Sequence, residues 1–395
     1  MNTELLKSKL LEAAFNGSLT HADTSKWEQV KLGEICDYGK CINVDVKDLP
    51  KDSWILELED IEKDTAKILQ RLTLAERNIK GSRHQFCKGQ LLYSKLRTYL
   101  NKVLIAPDDG YCTGEIVPLT FKDSVLTEYM CYYMRSPMVL QYTALSGYGI
   151  KMPRVNPKQM NALDVPLPPL EDQQQIVATL EEGFAAIDAI AEAKENLSTT
   201  AEMLRSKILQ AAFDGSLTGV DAGIWDQKKL RDISTKIVDG DHNPPKGQKE
   251  PTPYIMLSSQ NINEDKFVAM NKVRYLSKAD FDLCNKRTKL TKGDVLLTTV
   301  GTVGRSCVNT DDEVYCFQRS VTIITPAINS FFLKYYFDSP DFQQLLLLSA
   351  SGNAQKGFYL NKLKEVEIPV PPLAEQQRIV AKIEELFAEI NRITK

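Results

Sequence analysis

A chain of 395 residues with 43% hydrophobic and 26% charged side chains is too long for one ordinary core and suits two soluble domains with connections. The net charge of −3 excludes a uniformly basic polyanion binder, so any nucleic-acid contact has to come from local patches. No apolar run of about 18 residues or signal-peptide pattern occurs, which predicts a cytoplasmic protein without a membrane segment. The 8 cysteines are scattered without a CxxC pair or a nearby histidine at ligand spacing, which predicts reduced, mostly buried thiols and no metal site.

The first element is a helix over LLKSKLLEAAFNGSLT (5–20), where Leu6, Leu10 and Ala13 recur at helical spacing and Asn16-Gly17-Ser18 supplies a glycine stop. Residues 21–169 then mix short β-rich runs such as LLYSKL with polar turns, the pattern of a mixed α/β domain. Inside it, 88–106 holds Lys88, Lys95, Arg97 and Lys102 with no acid, interleaved with Tyr93 and Tyr99. A second acid-free stretch, 147–161, carries Tyr148, Lys151, Arg154 and Lys158. Basic patches with aromatics suit phosphate neutralisation and base contact; taken singly, a basic loop is as well explained by a solvated face.

After Pro168-Pro169 one helical pattern runs unbroken over 170–213 and stops at Asp214-Gly215-Ser216. Ile187, Ile190, Leu197, Ala201, Leu204, Ile208 and Ala211 follow the alternating spacing of a heptad seam, with Lys194 the polar intruder. At about 1.5 Å per residue such a helix is a rod of roughly 60 Å, a spacer. Residues 219–372 form a second mixed domain, in which 286–306 carries Lys286, Arg287, Lys289, Lys292 and Arg305 against the single Asp294. The last helix, 373–395, follows Pro371-Pro372 and repeats the seam through Ile379, Ile383, Leu386, Ile390 and Ile393.

These elements are one unit written twice. LLKSKLLEAAFNGSLT (5–20) returns as MLRSKILQAAFDGSLT (203–218), and VPLPPLEDQQQIVATLEEGFAAIDAI (165–190) as IPVPPLAEQQRIVAKIEELFAEINRI (368–393). Between them the domains align more weakly: Lys88-Gly89-Gln90 with Lys292-Gly293-Asp294, Tyr111-Cys112-Thr113-Gly114-Glu115 with Tyr315-Cys316-Phe317-Gln318-Arg319, and Ser146-Gly147 with Ser351-Gly352. A period of about 200 residues is far too long for a solenoid and signifies domain duplication. The expected fold is α+β: two mixed α/β domains, which the resemblance drawn from the helix ends below makes target recognition domains, separated by a long antiparallel helix pair. It is pseudo-twofold and circularly arranged, because 373–395 and 1–15 together mirror 170–213. The expected segments are therefore 1–20, 21–169, 170–218, 219–372 and 373–395. Helices kept alike and domains allowed to diverge suggest two different targets.

Two stretches imitate catalytic motifs. Asn243-Pro244-Pro245 opens an amino-methyltransferase motif, but Lys246 stands where an aromatic must stack the flipped base, and no glycine-rich S-adenosylmethionine loop accompanies it. A turn presenting His242, Asn243 and Lys246 to a ligand, or a plain surface turn, fits better. Gly301-Thr302-Val303-Gly304-Arg305-Ser306 lacks the Gly-Lys-Ser/Thr ending of a phosphate loop and reads as a tight turn after a strand, where Thr299, Thr302 and Arg305 could face DNA. No nuclease, helicase or triad constellation can be picked out.

Pro166-Leu-Pro-Pro-Leu-Glu-x-Gln-x-x-Ile-Val177, its copy at 369–380, and the Ala-Phe-x-Gly-x-Leu-Thr helix ends resemble the specificity (S) subunits of type I restriction–modification systems. The resemblance implies a non-catalytic chain without cofactor, in which each domain reads one half of a bipartite, asymmetric site in double-stranded DNA. It also implies docking of two methyltransferase (M) subunits on the helices, and of restriction (R) subunits on the complex. S-adenosylmethionine, ATP and Mg would sit on those partners. The residues it puts on DNA are Lys95, Arg97, Tyr99, Tyr148, Lys151 and Arg154 in the first domain and Thr299, Thr302, Arg305, Gln355 and Lys356 in the second. The basic loop adds Lys102, and the turn after Asp241 adds His242, Asn243 and Lys246, as further candidates for DNA contact. A specificity subunit of a type IIB-like or phage-exclusion methyltransferase system, or a protein scaffold without DNA, are the alternatives.

Overall fold

The computed structural model describes residues 2–146, 153–263, 266–310, 312, 314–350 and 358–394; Tyr148, Lys151, Gln355 and Lys356 lie outside them. The chain divides into two compact units, Met1–Lys194 and Glu195–Lys395, and the division falls inside a single helix.

The first unit begins with α1 (Thr3–Phe15), β1 (Glu28–Lys31) and α2 (Leu32–Ile35). β2 (Asn43–Asp45), β3 (Trp54–Leu56), β4 (Leu72–Thr73) and β5 (Ser82–Phe86) come next. They are followed by β6 (Leu91–Ser94), β7 (Val103–Ile105), β8 (Gly110–Cys112) and β9 (Ile116–Leu119). The unit closes with α3 (Thr127–Met134), α4 (Pro137–Ser146), α5 (Pro157–Asn161), β10 (Asp164–Leu167) and the first part of α6 (Leu170–Phe213). One sheet has the order β2-β5-β8-β3-β4 and another β7-β6-β9. β6 is buried at every position in the middle of its sheet, which is why its sequence is a run of apolar residues instead of an alternation.

The second unit takes over the rest of α6 and continues with β11 (Asp226–Lys229), β12 (Ser234–Asp239) and β13 (Ile255–Leu257). The short strands β14 (Ile262–Asn263), β15 (Lys266–Phe267) and β16 (Arg274–Tyr275) lead to α7 (Lys278–Thr288). β17 (Val295–Thr298), β18 (Ser306–Val308), β19 (Cys316–Phe317) and β20 (Val321–Pro326) build the sheets β12-β20-β17-β18 and β16-β13-β19. α8 (Ser330–Asp338), α9 (Pro340–Ala350), α10 (Leu360–Lys364), β21 (Glu367–Val370) and α11 (Leu373–Thr394) complete it.

The duplication is exact in its joints. β1 pairs antiparallel with β10 and β11 with β21, in the same four-residue register. Phe15 meets Tyr129 and Tyr133 edge-on at 5.4 and 5.1 Å; Phe213 meets Phe332 and Tyr336 at 5.3 Å each. The glycine stops also match, with Gly17 at φ 82° and Gly215 at φ 84°, a left-handed conformation that glycine adopts without steric cost. A Cβ on Gly215 would lie 1.9 Å from the Val220 carbonyl oxygen, so no other residue fits there.

The long helix is clasped by a buried glutamine at its start. Gln173 donates from Nε2 to the carbonyls of Ser124 and Pro168 at 3.0 and 2.8 Å and accepts the Leu126 amide at 2.8 Å. Gln376 does the same in α11, donating to the Pro371 carbonyl at 2.8 Å and accepting the Asn329 amide at 2.9 Å. Both side chains are fully enclosed, at 0% and 3% exposure.

Within each unit the two flanking helices run antiparallel. Lys7 of α1 pairs with Asp188 at 2.6 Å while Leu10 lies over Gly183; Arg205 bonds Asn391 of α11 and sits 5.7 Å over the Phe387 ring. The expected continuous seam is only partly buried: Ile190, Leu197 and Leu204 are 50%, 39% and 47% exposed. Leu209, Ala212 and Phe213 are buried instead, because that face of the helix is taken by the second domain's own core.

The domains differ where β8 has β5 on one side. Its counterpart β19 is an edge strand covered by α7, whose Phe281 and Cys284 pack with Met256, Leu276 and Cys316. None of the 8 cysteines is in a disulfide, and they are buried apart from half-buried Cys41 and exposed Cys87; burial pushes Cys36, Cys284 and Cys316 up to about 12, leaving inert thiols. Replacing Gln376 by Leu strips the Asn329 amide and the Pro371 carbonyl of their partners. It is expected to destabilise the second unit by about 1–3 kcal/mol, seen as a lower urea midpoint with an unchanged first-unit transition.

Candidate nucleic-acid interface

In the first domain the predicted basic loop is the turn between β6 and β7. Ser94 donates to the Lys102 carbonyl at 3.1 Å to close it, Lys95 exchanges backbone bonds with Glu115 and Val155, and Arg97 donates to the Pro153 carbonyl at 2.8 Å. Arg97 (φ 51°, ψ 56°) and Asn101 (φ 50°, ψ 45°) are both left-handed, a conformation costing about 1–2 kcal/mol for each non-glycine residue. Tyr99 stands between them, 58% exposed. The Arg97 Nε is buried with no hydrogen-bond partner among the described residues, and Asn101 donates to the Arg135 carbonyl.

Two other expected contacts are structural. Lys102 donates its ammonium to the Leu58 carbonyl at 2.6 Å, and burial lowers its pKa, so it pins the turn at Leu58–Asp60 from inside the domain. Arg154 grips Glu115 with Nε and Nη2, the shortest contact being 2.7 Å, and holds that carboxyl below the usual carboxylate range.

The second domain has the matching turn between β17 and β18, closed by Thr298 donating to the Arg305 carbonyl at 2.8 Å and shorter by one residue. Its left-handed positions are Gly301 (φ 83°) and Gly304 (φ 96°). Arg305 and Thr302 are exposed. Thr299 is not: it is 3% exposed, its hydroxyl lies 3.3 Å from that of Thr322, and its backbone is bonded to Ser320 and Phe358. Those backbone bonds bury it, so its hydroxyl faces Thr322 and it shapes the turn that lines the neighbouring cavity.

His242 and Asn243 follow β12 in a turn where the Asn243 amide donates to Asp241 Oδ1 at 2.8 Å, and Lys246 is exposed beyond it. His242 Nε2 lies 3.8 Å from Asp239 Oδ2. Together with the Thr299–Gly301 turn, Arg319 and Tyr359, these two residues ring a cavity of about 360 Å³.

Asp239, Arg319 and Tyr359 were not singled out from the sequence. The weak alignment of Tyr111 with Tyr315 hid Arg319, because the backbone sets a register one residue different. Thr113 donates to the Leu56 carbonyl as Gln318 does to that of Leu257, and Lys95 to that of Glu115 as Thr299 does to that of Ser320. Arg319 therefore stands where the first domain has Gly114.

Among the described residues no group of three His, Cys, Asp or Glu side chains is placed to hold a metal, and no helix is long and apolar enough to cross a membrane. Residues 24–198 and 224–395 each match the family described as the type I restriction modification DNA specificity domain. The chain belongs to this family.

The specificity subunit of the type I restriction enzyme EcoDI of Escherichia coli is 29% identical over 194 residues, covering 49% of this chain and 43% of that one. That of EcoBI, also from Escherichia coli, is 28% identical over 286 residues, covering 64% and 60%. The chain thus spans about half the length of the curated relatives it matches. Its fold is that of the HsdS subunit from Thermoanaerobacter tengcongensis (TM-score 0.59, 21% identity, 94% and 92% covered). It is closer still to a chain in a structure of the assembly and conformational transition of the type I R-M system (TM-score 0.74, 20% identity, 93% and 92% covered). Members of the family are specificity subunits, not catalysts.

Exchanging Arg97 for Gly is expected to relieve backbone strain and leave the first unit as stable or more so, by up to about 1 kcal/mol, while weakening DNA binding. Asn101→Gly makes the same backbone change without removing a cation, giving up the bond to the Arg135 carbonyl, so DNA titration of the two variants separates strain from contact.

Proposed function

We propose that this chain is the DNA-specificity subunit of a type I restriction–modification enzyme, each domain reading one half of a bipartite, asymmetric site. The observation that carries the reading is one device built twice with unlike tips. The joints at β1–β10 and β11–β21 share a register, whereas one turn presents Arg97 and Tyr99 and the other Thr302 and Arg305 on two glycines. Cations and an aromatic on pinned turns suit phosphate and base contact.

The half-exposed stripe of Ile190, Leu197 and Leu204 on α6 is the surface on which methyltransferase subunits would dock, leaving restriction subunits to join the assembled complex. S-adenosylmethionine, ATP and Mg would be bound by those partners, and the whole would work in the cytoplasm. With a net charge of −3 the chain gains much of its DNA affinity from its partners.

Co-expression with the methyltransferase subunits, followed by affinity capture and footprinting, tests the reading. A stable complex with two protected patches separated by an unprotected gap is expected, with affinity falling steeply as salt rises. A single short footprint would exclude two reading domains, and salt-insensitive or absent DNA binding would favour a protein scaffold.

A further inference from the structure

We infer that the second domain reads a G·C base pair in the cavity ringed by Arg319, Asp239 and His242, with Arg319 contacting the guanine. The inference rests on the specificity reading above and adds which residues do the reading and what they recognise.

Arg319 sits on a turn whose backbone is fixed from several sides. Its own amide donates to the Asp241 carbonyl at 2.9 Å, the Gln318 amide to that of Leu257 at 2.9 Å, and the Val321 amide to that of Gln318 at 3.0 Å. The Asp241 amide returns a bond to the Phe317 carbonyl at 2.7 Å. This close approach requires Gly240, since a Cβ there would lie 2.2 Å from the Gln318 carbonyl oxygen. On that rigid base the Arg319 side chain is exposed and forms no ion pair with a described residue. A pinned backbone carrying an extended guanidinium loses little freedom on binding, which is the condition for discrimination.

Its neighbours decide between a phosphate and a base. Asp239 accepts the Thr322 hydroxyl on Oδ1 at 2.6 Å, which orients Oδ2 towards His242. A carboxylate in the cavity repels phosphate oxygens. It accepts well from an exocyclic amine, and the guanidinium fork matches the O6 and N7 acceptors of guanine. A G·C pair presents both in the major groove: guanine acceptors for Arg319 and the cytosine N4 amine for Asp239. Half-exposed Tyr359 supplies an apolar wall.

Among the described residues the first domain has no such pair of groups at the same place. Gly114 replaces Arg319, and the adjoining Glu115 is already neutralised by Arg154. The two domains therefore recognise by different chemistry at equivalent points of their folds.

The test uses the full chain co-expressed with its methyltransferase subunits, mapping the methylated motif in host DNA for the wild type and for Arg319→Ala. The expected result is a bipartite wild-type motif in which Arg319→Ala relaxes a single G·C position of one half-site. Discrimination there should fall by about 10- to 100-fold, with the other half-site untouched. Arg319→Lys keeps the charge without the fork and is expected to relax the same position.

A uniform loss of binding across sequences, with the salt slope reduced by about one, would make Arg319 a phosphate contact and overturn the inference. So would an unchanged motif, or relaxation at an A·T position. A wild-type complex with no bipartite motif would instead remove the specificity reading on which the inference stands.

Discussion

The structure depends on a buried amide at the start of each trailing helix. A glutamine side chain offers a donor and an acceptor a short distance apart, and at Gln173 and Gln376 both are spent on backbone groups of the neighbouring domain. An unbonded amide in that position would carry the cost of burying a polar group, so the helix has one seating on its domain and no neighbouring one. The edge-on Phe15 and Phe213 clusters do the same for the leading helices by shape instead of polarity. With both helices fixed to the domain, the β1–β10 and β11–β21 pairs that lead into the trailing helices are fixed as well.

Much of this was legible in the sequence. The duplication, the helix stops at Gly17 and Gly215 and the long α6 follow from periodicity and glycine chemistry, which act locally. Where the reading failed, the deciding contact was non-local. Thr299 looks like an exposed turn residue until Ser320 and Phe358 close over its backbone, and Lys102 looks like a surface cation until Leu58 turns up as its acceptor. The heptad spacing of Ile190, Leu197 and Leu204 is real, but a helix that must also cover a domain core turns a different face inward.

The slip at Tyr111 and Tyr315 has the same origin. Two matched residues in a weak alignment suggested equal positions, while the parallel pairing of β3 with β8 and of β13 with β19 set the partners one residue apart. Residue identity is a poor guide to register in short strands, where hydrogen bonds to the neighbour decide it. The replacement of β5 by α7 beside β19 was likewise unreadable, since what covers a strand edge is set by contacts made only in the folded chain.

The contrast between the two hairpin turns bears on how such a protein can change its target. In the first domain the left-handed backbone falls on Arg97 and Asn101, and Asn101 is further tied through its side chain to the Arg135 carbonyl. A change of residue at either position alters the strain of the turn as well as the side chain it presents. In the second, Gly301 and Gly304 take the left-handed backbone without strain, so the side chains of Thr302 and Arg305 can change without disturbing the shape. The two halves of the protein therefore differ in how far a change of side chain at the turn is coupled to its fold.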